Sequence, residues 1–194
     1  MTPNVFLQAV TLNADDVWNG DGRGGERTKA MLDAIRDLPG AITHDQAHEL
    51  YWRIDNVAVI QGGLFPAGPK ILPALLDSLF TANEISRPYL LEAILQIAGG
   101  GMSEQDLSIH ERERIASDMI RTVEGGMRYF MHLAVHGSDP DAMHALDLIS
   151  LIIAAPERLP VTTANYDQDL RILHGALSTL HPHRAEELSR NISG

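Results

Sequence analysis

The sequence predicts an all-α fold built from irregular antiparallel helical pairs. Three observations carry this. Apolar residues recur at three- and four-residue steps in seven separate segments, which is the helix period. Capping residues, prolines and glycines punctuate those segments at their ends. No run of alternating apolar and polar residues is long enough for a half-buried strand with a matching partner.

The first stripe is Met31, Ala34, Ile35 and Leu38, closed by Gly40. The second is Ala47, Leu50, Tyr51 and Ile54. Val57–Ile60 follows, short and between Asn56 and Gly62-Gly63. A lone strand cannot satisfy its own backbone, so a loop or helical turn is expected there, and no sheet of three or more strands. Ile71, Leu72, Leu75, Leu76 and Leu79 form the third stripe. Pro73 inside it predicts a kink or a helix start. The fourth is Leu90, Leu91, Ile94, Leu95 and Ala98, entered through Ser86-Arg87-Pro88 and ended by Gly99, Gly100 and Gly101. One long stripe runs through Ile115, Met119, Val123, Met127, Phe130 and Ala134, with Gly125-Gly126 in its middle marking close packing or a kink. Ala145 to Ala155 is apolar on nearly every side and reads as a central buried helix, opened by Ser138-Asp139-Pro140. Tyr166, Leu170, Leu173, Leu177 and Leu180 make the last stripe.

Composition narrows the function classes. The chain has 194 residues, 44% of them hydrophobic, enough for a sizeable core and too many for a disordered chain. One domain over 1–194 is expected. A net charge of −11 repels nucleic acid and anionic lipid and favours a basic partner. The absence of cysteine excludes disulfides, thiolate nucleophiles and thiolate metal sites. No apolar run approaches a membrane span and no secretory signal opens the chain, so a cytoplasmic location is expected.

Pro69, Pro88 and Pro140 each open a helical segment, with alanine five residues on (Ala74, Ala93, Ala145) and an aliphatic six residues on (Leu75, Ile94, Leu146). A small residue at a fixed helical position permits close helix approach, the pattern of stacked helical pairs. The stretch Ser86–Gly99, SRPYLLEAILQIAG, resembles a HEAT or armadillo-type repeat helix. The block Tyr51–Pro73, YWRIDNVAVIQGGLFPAGPKILP, resembles a group of bacterial HEAT-like proteins, some of which accompany polymorphic toxins as immunity proteins. The resemblance covers about residues 44–155 and implies an α-solenoid that acts as a binding scaffold without a reaction of its own.

Two histidine pairs, His44/His48 and His132/His136, have the four-residue spacing that puts two imidazoles on one helix face. A zinc hydrolase would need a third ligand and a base; His110, Glu111 and Glu113 do not complete the protease helix motif. The segment from Asn13 to Glu26 is glycine-rich and acidic around Trp18. As a calcium loop it fails, with Arg23 at the fifth position and Ala30 at the twelfth, so residues 13–25 read as a flexible acidic loop. In the block of Tyr51, Trp52, Asp55, Asn56 and Gln61, Asp55-Asn56 fits a cap for the next helix and Gln61 a bond to loop backbone. The same block also suits the lining of a binding face.

The expected function is protein binding. The resemblance makes it more specific: neutralisation of a cognate, basic toxin domain by occlusion of its active site. Asp15, Asp16, Trp18, Tyr51, Trp52 and Asp55 are the candidate contacts, because both tryptophans lie near carboxylates. No cofactor, metal, nucleic acid or membrane is expected. The alternatives are a metal-dependent hydrolase using His44, His48, His132 and His136, and a self-associating structural module.

Overall fold

The computed structural model describes residues 24–60, 63–64, 67–102, 107–159 and 164–193. Helices dominate these residues, as the apolar periodicity predicts. The chain divides into two compact units, residues 1–105 and 106–194, each with its own core.

The first unit contains α1 (Gly24–Asp37), a 3-10 turn η1 (Leu38–Gly40), α2 (His44–Ala58), α3 (Ala67–Thr81) and α4 (Arg87–Gly99). Helix α1 packs on α2 and α3, α3 on α4, and α4 back on α2, so the four helices enclose one core. Met31, Leu38, Ile54, Ile71, Leu72, Leu75, Leu79, Leu90, Leu91 and Ile94 are fully buried there. Each such side chain contributes about 1.5–3 kcal/mol by leaving water. Gly24 and Gly25, expected in the acidic loop, instead open α1; residues 13–23 lie outside the described residues.

Of the loop or helical turn expected at Val57–Ile60, the first two residues are helical, and the last two overturn the expectation of no sheet of three or more strands. Val57 and Ala58 complete α2, and Val59–Ile60 forms strand β1. It pairs antiparallel with β2 (Gly63–Leu64), which pairs parallel with β3 (Gly101–Met102). This three-stranded sheet has two residues per strand, so it pins the loops after α2 and α4 together without making a layer. A two-residue strand leaves no alternating pattern to read, which is why the sequence did not disclose it.

The entry to α4 also differs from expectation. Ser86 has helical backbone angles and makes no side-chain cap. Its buried hydroxyl donates to the Pro39 carbonyl at 3.1 Å. Asn83 does the capping: its Oδ1 accepts from the amides of Ile85 and Ser86 at 2.9 and 3.0 Å, while its Nδ2 donates to the Ala41 carbonyl at 2.8 Å. Asn83 thus ties the α3–α4 turn to the turn after α1. Gly100 ends α4 with extended angles.

The second unit contains α5 (Ile109–Glu124), α6 (Met127–His136), α7 (Asp139–Arg158), α8 (Asp167–Leu180) and α9 (Pro182–Ser193). The helix read over Ala145–Ala155 is α7. It packs on α5, α6 and α9, and no residue from 144 to 155 is exposed. Ser138 caps α7 as expected, accepting from the Asp141 amide at 3.4 Å. The long stripe breaks at Gly125-Gly126 into α5 and α6. A Cβ on Gly126 would lie 2.6 Å from the Phe130 ring, which is fully buried, so glycine permits that close approach.

Polar groups turned inward hold this unit together. The buried Arg184 guanidinium donates to the carbonyls of Ala134 and Gly137 at 3.0 and 3.3 Å, and to Asp139 Oδ1 at 2.6 Å. It thereby closes the open carbonyl end of α6 and meets the acidic first turn of α7. Glu124 Oε1 accepts from the Ala164 amide at 2.6 Å and from the Tyr166 hydroxyl at 3.1 Å, fixing the approach to α8.

Candidate functional site

Helix α2 carries most of the candidate site. Thr43 caps it, accepting from the Gln46 amide at 3.2 Å, and Gln46 Oε1 accepts from the Ile42 amide at 3.0 Å. With the start fixed, the helical turn dictates which residues align. Ala47, Leu50, Ile54, Val57 and Ala58 go into the core. His44, His48, Tyr51 and Asp55, at four- and three-residue steps, form an adjoining stripe.

That stripe meets Tyr89 of α4. The Tyr89 ring centroid lies 6.3 Å from His44, 6.2 Å from His48 and 6.1 Å from Tyr51. Trp52 completes the group, 5.9 Å from His48 and 5.6 Å from Tyr51 in edge-on contacts. Its indole N–H donates to His48 Nε2 at 2.8 Å, which makes the neutral imidazole the Nδ1–H tautomer. Trp52 is nevertheless 44% exposed, a large aromatic surface held in place by its neighbours.

Two carboxylates border the rings. The Tyr51 hydroxyl donates to Asp55, and Glu92 of α4 acts on both. Burial, with Glu92 adding to it, raises Asp55 above the usual carboxylate range, against the opposing hydrogen bond from Tyr51. Burial first, and then the Asp55 and Glu92 charges, push the Tyr51 hydroxyl well above an ordinary tyrosine. Beyond Trp52 lies a groove of about 780 Å³ between α1 and α2, lined by Arg27, Ala30, His48, Glu49, Arg53 and Asn56 among others. Arg53 pairs with Glu49 there, one helical turn away.

Three sequence-predicted contacts, Tyr51, Trp52 and Asp55, are thus brought together on one face, and Asp15, Asp16 and Trp18 lie outside the described residues. Asp55 and Asn56 sit within α2 and cap no following helix; Gln61 also lies outside the described residues. Tyr89 and Glu92 were not legible as members, because their only sequence signal is a half-polar edge on the α4 stripe.

The second histidine pair stands apart from this arrangement, on α6 in the other unit. His132 and His136 are exposed, with centroids 4.8 Å apart, and Tyr129 stacks against His132 at 6.5 Å. Among the described residues no group of three or more His, Asp or Glu is placed to hold a metal ion. His48 is further committed to the Trp52 indole, so the metal-hydrolase alternative has no built centre among these residues.

The fold and this face define a predominantly helical protein with a preformed aromatic and acidic patch. Comparisons with family models, curated proteins and solved structures find no match to the chain. No helix among the described residues is long and apolar enough to cross a membrane.

Proposed function

We propose that this chain is a cytoplasmic protein-binding scaffold without enzymatic activity, and that it neutralises a cognate toxin by covering the toxin's active site. Its helical pairs are taken as a HEAT-like α-solenoid, as the resemblance of the Tyr51–Pro73 and Ser86–Gly99 blocks implies. The observation that carries the docking reading is the α2–α4 face: Trp52 is 44% exposed yet held by a 2.8 Å hydrogen bond and two ring contacts. A rigid, half-exposed tryptophan loses little conformational freedom on binding, so it suits an anchor. The surplus of acidic groups over basic ones favours a basic toxin domain and raises the rate of encounter.

The test is co-expression with the toxin domain encoded in the adjacent reading frame. Cells expressing both should grow, and Trp52→Ala should restore killing while circular dichroism stays unchanged. Growth unaffected by the folded Trp52→Ala variant would remove this face as the docking site. An adjacent frame without any toxin would remove the immunity reading.

A further inference from the structure

We infer that His48 is a pH-sensitive latch on Trp52: the neutral imidazole holds the indole in its docking position, and protonation of Nε2 releases it. This rests on the docking reading above and adds its regulation. The Trp52 indole N–H donates to His48 Nε2 at 2.8 Å. An indole nitrogen only donates, so the bond needs a lone pair on Nε2. In the imidazolium both ring nitrogens carry a hydrogen, and two donors would face each other across the same gap. The bond does not survive that change, and one of the two rings must turn away.

The surroundings let this bond respond to pH. His48 is exposed, so protons reach it directly from solvent. Tyr89 stands across from it on α4, 6.2 Å between ring centroids, with Glu92 one helical turn further on. Arg27 of α1 lines the same groove. On α2 itself stand His44 and Asp45 one turn before it, Tyr51 one turn after, and Glu49 paired with Arg53. Among these groups His44 is the one that titrates in the same range, so it is the group an experiment must separate from His48. His48 is thus a positioning residue. With the bond made, Trp52 is a fixed anchor that loses little freedom on docking; with the bond broken, the ring must be ordered again at a cost to affinity. A partner held at neutral pH is let go in acid.

The experiment follows the indole N–H resonance of the isolated protein by NMR from about pH 8 to about pH 5, the range in which histidine changes charge. Trp18→Phe serves as the parent, because it leaves Trp52 as the one indole. The indole proton should move upfield in a single step as acid removes its acceptor, and above that step His48 should show the Nδ1–H tautomer. His48→Gln keeps an acceptor that does not titrate, and should hold the indole at its neutral-pH position throughout. His48→Phe keeps a ring without an acceptor, and should hold it at the acid position throughout. His44→Gln should leave the step in place. Partner dissociation should quicken about fivefold across the same range, the worth of one ordinary hydrogen bond, and stay flat in His48→Gln. A flat indole resonance in the parent, a step that persists in His48→Gln, or one abolished by His44→Gln would overturn the inference. Failure of docking reads differently: an indole that titrates as expected, with partner dissociation indifferent to pH, leaves the latch standing and removes Trp52 from the contact.

Discussion

The two units gather their polar side chains differently. In the first, a histidine pair on α2 is joined by Tyr51, Trp52 and Asp55, and by Tyr89 from a second helix, and the group faces outward. In the second, a pair with the same spacing on α6 is joined by Tyr129 of its own helix. There the buried Arg184 reaches α6 and Asp139, and the half-buried Glu124 reaches Ala164 and Tyr166. Identical spacing on a helix therefore does not define a site; what the neighbouring helix brings does. The second unit's network ties its own elements together, and the first unit's face is the one proposed for docking, a contrast that substitutions can test.

The largest effect is expected at Arg184. Arg184→Met removes the donors to Ala134 and Gly137 and leaves those carbonyls without their partner. A loss of about 3 kcal/mol in denaturant unfolding is expected. Gly126→Ala comes next, because its Cβ would meet the buried Phe130 ring at 2.6 Å. Overpacking there should cost about 1–2 kcal/mol, read from the same unfolding midpoint. Glu124→Gln weakens two hydrogen bonds that it keeps in neutral form, and should cost about 1 kcal/mol. Trp52→Ala should cost about 1 kcal/mol or less, since much of the ring is already in water. If Trp52→Ala proves as damaging as Arg184→Met, the contrast between the units fails.

Acid titration sharpens the same contrast. Arg184 holds the Asp139 carboxyl below the usual range, through a hydrogen bond and its charge. A depressed folded pKa contributes stability above the unfolded value, lost as pH falls through the folded value. Asp55 is raised, so its sign is reversed: the charged form is disfavoured in the fold, and stability rises as pH falls through its folded pKa towards its unfolded one. The melting temperatures of Asp139→Asn and Asp55→Asn should therefore differ from the parent's in opposite directions at neutral pH, and both differences should shrink towards about pH 3.

Much of the fold was legible because burial follows the helix period. Most residues of the stripes of α1, α2, α3, α4 and α7 are buried, from Met31 to Ile152, whereas Tyr51 and Leu95 are half-buried. Helix α9 was missed because its buried contribution is Ala185, Leu188 and the stem of Arg184, too few apolar residues in a polar run. Ser86 before proline looked like a cap, but the turn is set by Asn83, whose side chain bonds two amides ahead of it and a carbonyl 42 residues away. Such a long-range bond has no local sequence signature. The site was half legible for the same reason. Tyr51, Trp52 and Asp55 adjoin in sequence, whereas Tyr89 and Glu92 join them only through the packing of α4 on α2.

The most direct test of the account is a paired measurement on Asp55→Asn at neutral pH: its melting temperature, and its dissociation rate from the proposed protein partner. A structural carboxylate, when neutralised, would lower stability. Burial and Glu92 disfavour the charged form of Asp55, so the account predicts a melting temperature equal to or above the parent's, with faster dissociation. A lowered melting temperature with unaltered dissociation would contradict it, and would return this face to the structural role that Arg184 plays in the other unit.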